Sequence, residues 1–183
     1  MERDLSGRKV AILVTDGFEQ VEMTEPRKAL EDAGAEVDLI SPLPDRVKGW
    51  KSSEWGEQFE IDLPLTKAAA SGYDALMLPG GVINADKLRG NPDAREFVRT
   101  FFDENKPVAA ICHAPWILID AGVASGRKMT SWPTLEKDLA NAGVEWVDEE
   151  VVVDAGLVTS RMPSDLAAFN REMIRLFAPP MGR

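Results

Sequence analysis

The stretch PVAAICHAPW, Pro107 to Trp116, begins as a short continuous apolar run and ends in a turn that contains a second proline. Apolar runs of this length are typical of parallel strands that are buried on both faces of a sheet. Three similar runs precede it in the chain: KVAILV at 9–14, EVDLI at 36–40 and DALMLP at 74–79. Together the four runs predict a mostly parallel sheet.

Segments with helical spacing lie between and after these strands. Apolar side chains recur at i, i+3, i+4, i+7 and i+8 from Pro92 to Glu104, and Asn91 precedes them as a capping residue. Farther along, the spacing predicts a helix that ends at Gly143, two strands joined by a tight turn over 151–160, and a last helix over 164–177. The alternation of strands and helices predicts an α/β fold.

The segment VKGWKSSEWGEQFEID, 47–62, lacks a helical period and contains two glycines and two tryptophans. Such segments indicate turns, so we expect a hairpin that lies outside the main sheet. No linker, repeat or low-complexity tract interrupts the 183 residues, and a chain of this length normally forms one domain. Residues 1–183 are therefore predicted to form a single α/β domain.

The composition restricts the location of the protein. No segment approaches the roughly 18 apolar residues that a membrane span needs, and the start, MERDLSGRKV, mixes charges instead of pairing a basic patch with an apolar stretch. We therefore expect a cytoplasmic protein with no membrane partner. The single cysteine, Cys112, excludes an internal disulfide, which fits a reducing compartment.

The charge and the supply of metal ligands exclude further classes. The sequence has 21 Lys and Arg against 31 Asp and Glu, and the net charge of −10 repels phosphate backbones, so nucleic acid is not an expected partner. One cysteine and one histidine cannot build a zinc site of several Cys and His ligands, whereas a carboxylate magnesium site stays open. We predict no metal site and no cofactor.

Cys112 and His113 are the only cysteine and the only histidine of the chain, and they end the last of the four apolar runs. In doubly wound sheets, ligands bind at the carboxyl ends of the strands. Ala110 and Ala114 lie two residues before and two after Cys112, which is the spacing of small residues that a nucleophile elbow needs. A helix that begins at Pro115 would stabilise an anion, so we expect a nucleophilic thiol with a pKa below the roughly 8.5 of free cysteine.

Each of these two residues also has a plainer interpretation. A lone cysteine at the end of an apolar strand is more often a small buried apolar side chain than a nucleophile. His113 is then a turn residue, because neighbouring side chains in an elbow usually diverge and adjacency alone does not bring the ring to the sulfur.

A second signal is LPGG, Leu78 to Gly81, which follows the third predicted strand. Paired glycines at this place let the backbone turn its amides toward a ligand. The amides of Gly81 and His113 on opposite sides of Cys112 would then form an oxyanion hole. The alternative is a simple turn.

A third signal is DGFEQVEM, in which Glu19 and Glu22 stand three residues apart and share a helical face. A carboxylate beside a thiolate is repelled, so a glutamate that contacts Cys112 is expected to be protonated, with a raised pKa. The alternative is a solvated acidic first turn that complements the helix dipole.

The order of these motifs resembles the ThiJ/PfpI superfamily, and most of all its PfpI branch. The resemblance rests on EQVE, LPGG, ICHAP and the C-terminal EWVDEEVVVDAGLVTSRMPSDL, and it extends from Lys9 to Phe177. It implies a flavodoxin-like three-layer α/β sandwich with a mostly parallel sheet, related to class I glutamine amidotransferases.

The resemblance also implies the roles of the site residues. Cys112 is the elbow nucleophile with His113 beside it, Glu22 contacts the sulfur together with Glu19, and the glycines of the oxyanion loop are Gly80 and Gly81.

Some positions depart from the family pattern. In PfpI-type proteins an acidic residue of a neighbouring subunit orients the histidine, and Asp86 takes the place of the usual glutamate with a side chain that is shorter by one methylene. Trp116 replaces a common glutamine, which makes the rim of the cleft more apolar and gives Trp116 an expected role in binding substrate. The resemblance implies a homodimer or a homohexamer.

The resemblance implies two related activities, with stress protection as their shared theme. One is glyoxalase or deglycase activity on methylglyoxal and its early adducts, so that the partner is a small carbonyl substrate or a glycated protein or peptide. The second is intracellular cysteine peptidase activity. In both, a thiolate attacks an electrophilic carbonyl. The non-enzymatic alternative is a redox sensor or holdase in which Cys112 is oxidised.

Arg161, in TSRMPSD, follows a predicted strand and precedes the last helix, whose predicted cap is Ser164. An arginine here either anchors the turn through a carboxylate or a carbonyl, or borders the cleft and positions a substrate oxygen. We expect the structural role first and keep substrate binding as the alternative.

Overall fold

A computed structural model describes residues 4–180 and contains one sheet of seven strands with helices on both faces. The strands of the chain are β1 (Lys9–Leu13), β2 (Phe18–Glu19), β3 (Glu36–Ser41), β4 (Arg46–Lys51), β5 (Glu54–Glu60), β6 (Leu63–Pro64), β7 (Ala75–Leu78), β8 (Val108–Ile111), β9 (Lys128–Met129), β10 (Glu145–Trp146), β11 (Val152–Asp154) and β12 (Leu157–Ser160).

The seven-stranded sheet has the order β11-β12-β8-β7-β1-β3-β6, and every neighbouring pair is parallel except β11 with β12. Its five long central strands thus follow the flavodoxin-like sequence second, first, third, fourth, fifth. The four apolar runs form β1, β3, β7 and β8, which confirms the predicted parallel sheet.

The helices are α1 (Gln20–Asp32), α2 (Val82–Arg89), α3 (Pro92–Asp103), α4 (Pro115–Asp120), α5 (Glu136–Asn141) and α6 (Leu166–Phe177). Side chains of α1 and α6 form the core on one face of the sheet, and side chains of α3, α4 and α5 form the core on the other. Along β1, Val10 and Ile12 belong to the first core and Ala11 and Leu13 to the second. This alternation buries both faces of the strand and confirms a three-layer sandwich.

The ends of two helices test the predicted caps. Asn91 precedes α3, and its side-chain oxygen accepts a hydrogen bond from the Ala94 amide at 3.0 Å, as predicted. The prediction for Ser164 is wrong, because Pro163–Asp165 forms a 3₁₀ turn and α6 begins only at Leu166, with no side-chain cap. The carboxylate of Asp165 is engaged elsewhere, as described below.

The predicted hairpin consists of β4 and β5, which join β2 in a separate three-stranded sheet. The side chain of Gln20, at the start of α1, fits against this hairpin and accepts a hydrogen bond from the Glu57 amide at 2.8 Å. A Cβ atom at Gly49 or at Gly56 would lie 3.0 or 2.1 Å from the Gln20 Oε1 atom. The two glycines therefore let α1 hold the hairpin closely, with Trp50 and Ser52 near the carboxyl edge of the main sheet.

No helix within residues 4–180 is long and apolar enough to cross a membrane.

Candidate active site

A cavity of about 440 Å³ lies where β1, β7 and β8 end. Its walls include Glu19, Glu22, Gly81, Cys112 and His113, so the structure brings five of the predicted site residues together. The chain passes from β1 through β2 to α1, from β7 to α2 and from β8 to α4 at this edge, which is where parallel sheets of this order bind ligands.

Cys112 lies in the sharp turn between β8 and α4 and has the left-handed backbone angle φ 64°. Its amide donates a hydrogen bond to the Ser160 carbonyl at 3.0 Å, and its carbonyl accepts one from the Trp132 amide at 2.9 Å. A residue other than glycine in this conformation is strained, and strain of this kind is concentrated at functional sites. The buried Ala114 leaves room for the turn, in agreement with the predicted elbow.

The His113 ring contacts the Cys112 sulfur, with 3.2 Å between Nδ1 and Sγ. The expectation that the two side chains diverge is therefore wrong. Trp132 stacks on one side of the ring at 5.6 Å between centroids, and Trp116 meets it edge-on at 5.3 Å. Burial lowers the pKa of His113 to about 4, so the imidazole is neutral at physiological pH, and its Nδ1 atom, when unprotonated, is in place to accept a hydrogen bond from the thiol.

The Glu22 side chain is completely buried, and neither of its oxygens has a well-formed hydrogen bond within residues 4–180. Burial raises its pKa to about 8, and the nearby Glu19 charge raises it further, whereas the Cys112 thiol and the Gly80 amide lower it. Glu22 is therefore mostly protonated at pH 7, which agrees with the predicted direction. A protonated carboxyl at this place is a proton donor.

The predicted low pKa of Cys112 is wrong. Burial raises the pKa of the thiol, the charge of Glu22 adds to the increase, and the backbone amides of Gly81 and His113 act in the opposite direction. The elbow places the sulfur inside the protein, with 5% of the residue exposed, and desolvation disfavours a thiolate. A nucleophilic role thus needs a base, and His113 is in place for it.

Gly80 and Gly81 lie beside Cys112, where the sequence predicts an oxyanion loop. A Cβ atom at Gly80 would lie 2.5 Å from both Cys112 Cβ and Glu22 Oε1. Gly81 has φ 92°, and a Cβ atom there would lie 2.5 Å from the Gly17 carbonyl oxygen. Neither position tolerates a side chain, because backbone or site atoms fill the space.

Glu19 also lines the cavity, but its hydrogen bonds go to the hairpin. Its Oε1 atom accepts from the Ser52 amide at 3.1 Å and from the Ser52 hydroxyl at 3.2 Å. Ser52 has φ 55°, so Glu19 holds a strained residue at the hairpin tip. The structure therefore gives Glu19 a role in fixing the cavity wall, and its charge reaches Glu22 and Cys112 through space.

Trp116 and Asp86 do not line the cavity. The Trp116 indole donates a hydrogen bond to the Asp138 carboxylate at 2.9 Å and supports His113 from the side of α4. Asp86 is exposed on α2. Trp132, which no sequence motif marks as functional, lines the cavity and stacks on His113.

Arg161 makes a fork-to-fork pair with Asp165, with Nε to Oδ2 at 2.9 Å and Nη2 to Oδ1 at 3.0 Å. Its Nη1 atom donates to Asp148 at 2.8 Å. Asp165 is 3% exposed, and it also accepts a bond from the Arg161 amide. These contacts favour the structural role, because each guanidinium nitrogen already donates to a carboxylate.

Replacing Arg161 with lysine keeps the charge but loses the planar fork on the buried Asp165. We expect the free energy of unfolding to fall by about 1–2 kcal/mol, with turnover per folded molecule unchanged. Denaturant unfolding and steady-state kinetics check this. Arg171→Lys, at an exposed pair with Glu172, is the control and should change neither quantity. A raised KM at unchanged stability would instead assign Arg161 to substrate binding.

Within residues 4–180, no group of three or more His, Cys, Asp or Glu side chains is placed to hold a metal ion.

Comparisons with known proteins identify the family to which this chain is related. The model of the DJ-1/PfpI family matches residues 8–176. A Bacillus subtilis protein named "Putative cysteine protease YraA" is 44% identical over 170 residues, which cover 92% of this chain and 98% of that protein. Deglycase PH1704 of Pyrococcus horikoshii is 45% identical over 168 residues, which cover 92% of this chain and 98% of that protein.

A solved structure agrees with the sequence relatives. Drosophila melanogaster DJ-1beta superposes with a TM-score of 0.86 at 28% identity, over 93% of this chain and 90% of that one. The sheet order and the elbow at Cys112 thus occur in a chain whose sequence matches one family almost from end to end. This chain belongs to the DJ-1/PfpI family.

Proposed function

We propose that this protein is a cysteine-dependent enzyme that acts on reactive dicarbonyls or their early adducts, with Cys112 as its nucleophile. The observation that carries the proposal is the 3.2 Å contact between the Cys112 sulfur and Nδ1 of a neutral His113 inside the cavity. Thiol and base at this distance form the pair that nucleophilic catalysis requires. The names of two relatives, deglycases of Pyrococcus horikoshii and Pyrococcus abyssi, support the choice.

The first step is addition of the thiol to a carbonyl. His113 Nδ1 takes the thiol proton, the sulfur–carbon bond forms, and the π electrons of the C=O bond move to oxygen. The backbone amides of Gly81 and His113 stabilise this oxyanion, and protonated Glu22, which interacts with Cys112, can supply a proton to it. The product is a hemithioacetal or, from a peptide, the tetrahedral precursor of an acyl-enzyme.

The walls of the cavity favour particular substrates. Trp50, Val82, Ile83, Trp132 and Pro163 make most of the surface apolar. Within residues 4–180, no lysine or arginine lines the cavity, so a substrate carboxylate finds no counterion there. Neutral carbonyls, and adducts borne on a cationic arginine side chain, fit this charge better than anionic ones.

Two other functions use the same thiol. The Bacillus subtilis relative's name favours a cysteine peptidase, which needs an acid to orient His113. Asp86 of a second copy is the candidate, in a homodimer or homohexamer that brings its exposed carboxylate to the ring. A redox sensor or holdase instead uses oxidation of Cys112 without turnover.

A substrate panel tests the proposal. Wild-type protein and Cys112→Ala are assayed on methylglyoxal, on its early adduct with N-acetylarginine, on glyoxylate and on small fluorogenic peptides. We expect the dicarbonyl or its adduct to give a kcat/KM at least about tenfold above glyoxylate and the peptides, because the anion lacks a counterion. Cys112→Ala should give none of these reactions.

The outcomes separate the alternatives. Hydrolysis of peptides alone selects the peptidase, and Asp86→Ala should then reduce it at unchanged stability. A single stoichiometric reaction of the thiol, without turnover of any substrate, selects the sensor. Turnover that survives in Cys112→Ala would remove Cys112 from the mechanism.

A further inference from the structure

Asn84, in the first turn of α2, has a side chain that is completely buried and that does not line the cavity. Its Oδ1 atom accepts a hydrogen bond from the Thr15 amide at 2.8 Å. Its Nδ2 atom donates to two carbonyl oxygens, Pro79 at 3.1 Å and Gly80 at 3.0 Å. One amide group thus ties the end of β1 to the loop that follows β7.

The Gly80 carbonyl belongs to the peptide unit that also carries the Gly81 amide. This oxygen accepts a second bond, from the Glu19 amide at 3.2 Å, so two donors hold it in place. A peptide unit is planar and trans, so its N–H points opposite to its C=O. The Gly81 N–H, on the opposite side of the peptide unit, faces Cys112 and favours ionisation of its thiol.

Glycines alone do not fix this orientation. Without side chains, Gly80 and Gly81 have access to many backbone conformations, and rotation of the peptide between them would present the carbonyl oxygen to the sulfur. That oxygen would repel a thiolate or an oxyanion at the place where a donor is needed. An anchor outside the loop is required.

We infer that Asn84 is a positioning residue, which holds the Gly80–Gly81 peptide unit so that the Gly81 amide faces Cys112. Its consequence for turnover rests on the proposed function. Its consequence for the thiol does not, because an amide that faces the sulfur favours the thiolate in any protein.

Asn84→Ala tests this inference, with Asn91→Ala as the matched control. Both changes truncate an asparagine that bonds to backbone, but Asn91 caps α3 through Ala94 and does not line the cavity. We expect both variants to melt at a lower temperature, and only Asn84→Ala to slow Cys112 alkylation by iodoacetamide. The expected decrease is at least about tenfold at pH 7.5, with an inflection at higher pH.

The charged and titratable groups that act on Cys112, namely Glu19, Glu22 and His113, are the same in both variants. The difference in alkylation therefore reports the amide. With a carbonyl substrate, kcat should fall at least about tenfold in Asn84→Ala, with KM within about threefold, since the donor acts on the oxyanion rather than on bound substrate. If Asn84→Ala does not fold, Asn84→Ser, which keeps one donor, replaces it and should give a smaller effect of the same kind.

Equal alkylation profiles for Asn84→Ala and Asn91→Ala would overturn the inference and leave Asn84 as a structural anchor. Absence of turnover by the wild type on every carbonyl substrate would reject the proposed function instead. The alkylation comparison would still decide the role of Asn84, because it needs no substrate.

Discussion

Replacing Gly80 with alanine is expected to reduce turnover per folded molecule by at least about 100-fold and to slow alkylation of Cys112 in parallel. The new Cβ atom would lie 2.5 Å from Cys112 Cβ, 2.5 Å from Glu22 Oε1 and 2.7 Å from the Ile111 carbonyl oxygen. Carbon atoms do not approach so closely, and the Ile111 oxygen belongs to a central strand that cannot move independently. The turn at Cys112 or the loop at Gly80 and Gly81 must therefore shift.

Gly72→Ala is the control for this substitution. Gly72 has no atom within 4 Å of the position its Cβ would take, so the change should leave turnover and alkylation unaltered. Crowding at Gly80 should also cost about 1–3 kcal/mol of stability, so kinetics are measured below the melting transition of both variants. Near-normal turnover of Gly80→Ala would show that the chemistry takes place outside this cavity.

The fold was predictable because local patterns of apolar residues indicate where strands and helices form. The four apolar runs became β1, β3, β7 and β8, and the periodic segment after Asn91 became α3. Ser164 failed as a cap because Asp165, one residue later, is held by Arg161 and a 3₁₀ turn precedes the helix. Capping preferences are weak compared with a buried ion pair, and the sequence does not reveal the pair.

The sequence predicted five residues that line the cavity, but not the contacts between them and not every residue of the walls. Residue type and position at strand ends placed Cys112 and Glu22 together, whereas the distance from Sγ to Nδ1 depends on Trp132, which packs on His113 from 19 positions away in sequence. The pKa of the thiol depends on burial, which only the packed structure reveals. Asn84 carried no signal at all, because its role comes from three backbone partners on two different loops.

Glu22→Gln is expected to stabilise the protein, by about 3 kcal/mol at pH 7. Burial raises the pKa of Glu22 from 4.5 to about 8, so the unfolded chain releases this proton at lower pH than the folded protein does. The contribution of the carboxyl is fully present below pH 4.5 and is lost, at about 1.4 kcal/mol per pH unit, as pH rises toward 8. Glutamine has nearly the same shape as protonated glutamate and no proton to lose, so the stability of Glu22→Gln lacks this dependence on pH.

Unfolding by denaturant at several pH values between 4 and 8.5 measures the effect. The free energies of unfolding of the wild type and Glu22→Gln should differ least near pH 4, and the difference should grow steadily above that pH. Glu25→Gln, which removes an exposed carboxyl from the same helix, is the control and should follow the wild type. In Glu22→Gln, Cys112 should also be alkylated faster at pH 9, because the charge that raises the thiol pKa is gone.

A buried carboxyl that destabilises the folded protein is expected to have a function, and the proposed chemistry gives Glu22 one. An acid with a pKa of about 8 keeps its proton at pH 7 and can give it to an oxyanion that forms beside it. Two opposite effects are therefore expected of Glu22→Gln: it should be more stable than the wild type, and it should turn over substrate more slowly. Parallel pH curves for wild type and Glu22→Gln would mean that Glu22 is ionised in the folded protein, and an ionised carboxylate beside Cys112 would repel the oxyanion instead of protonating it.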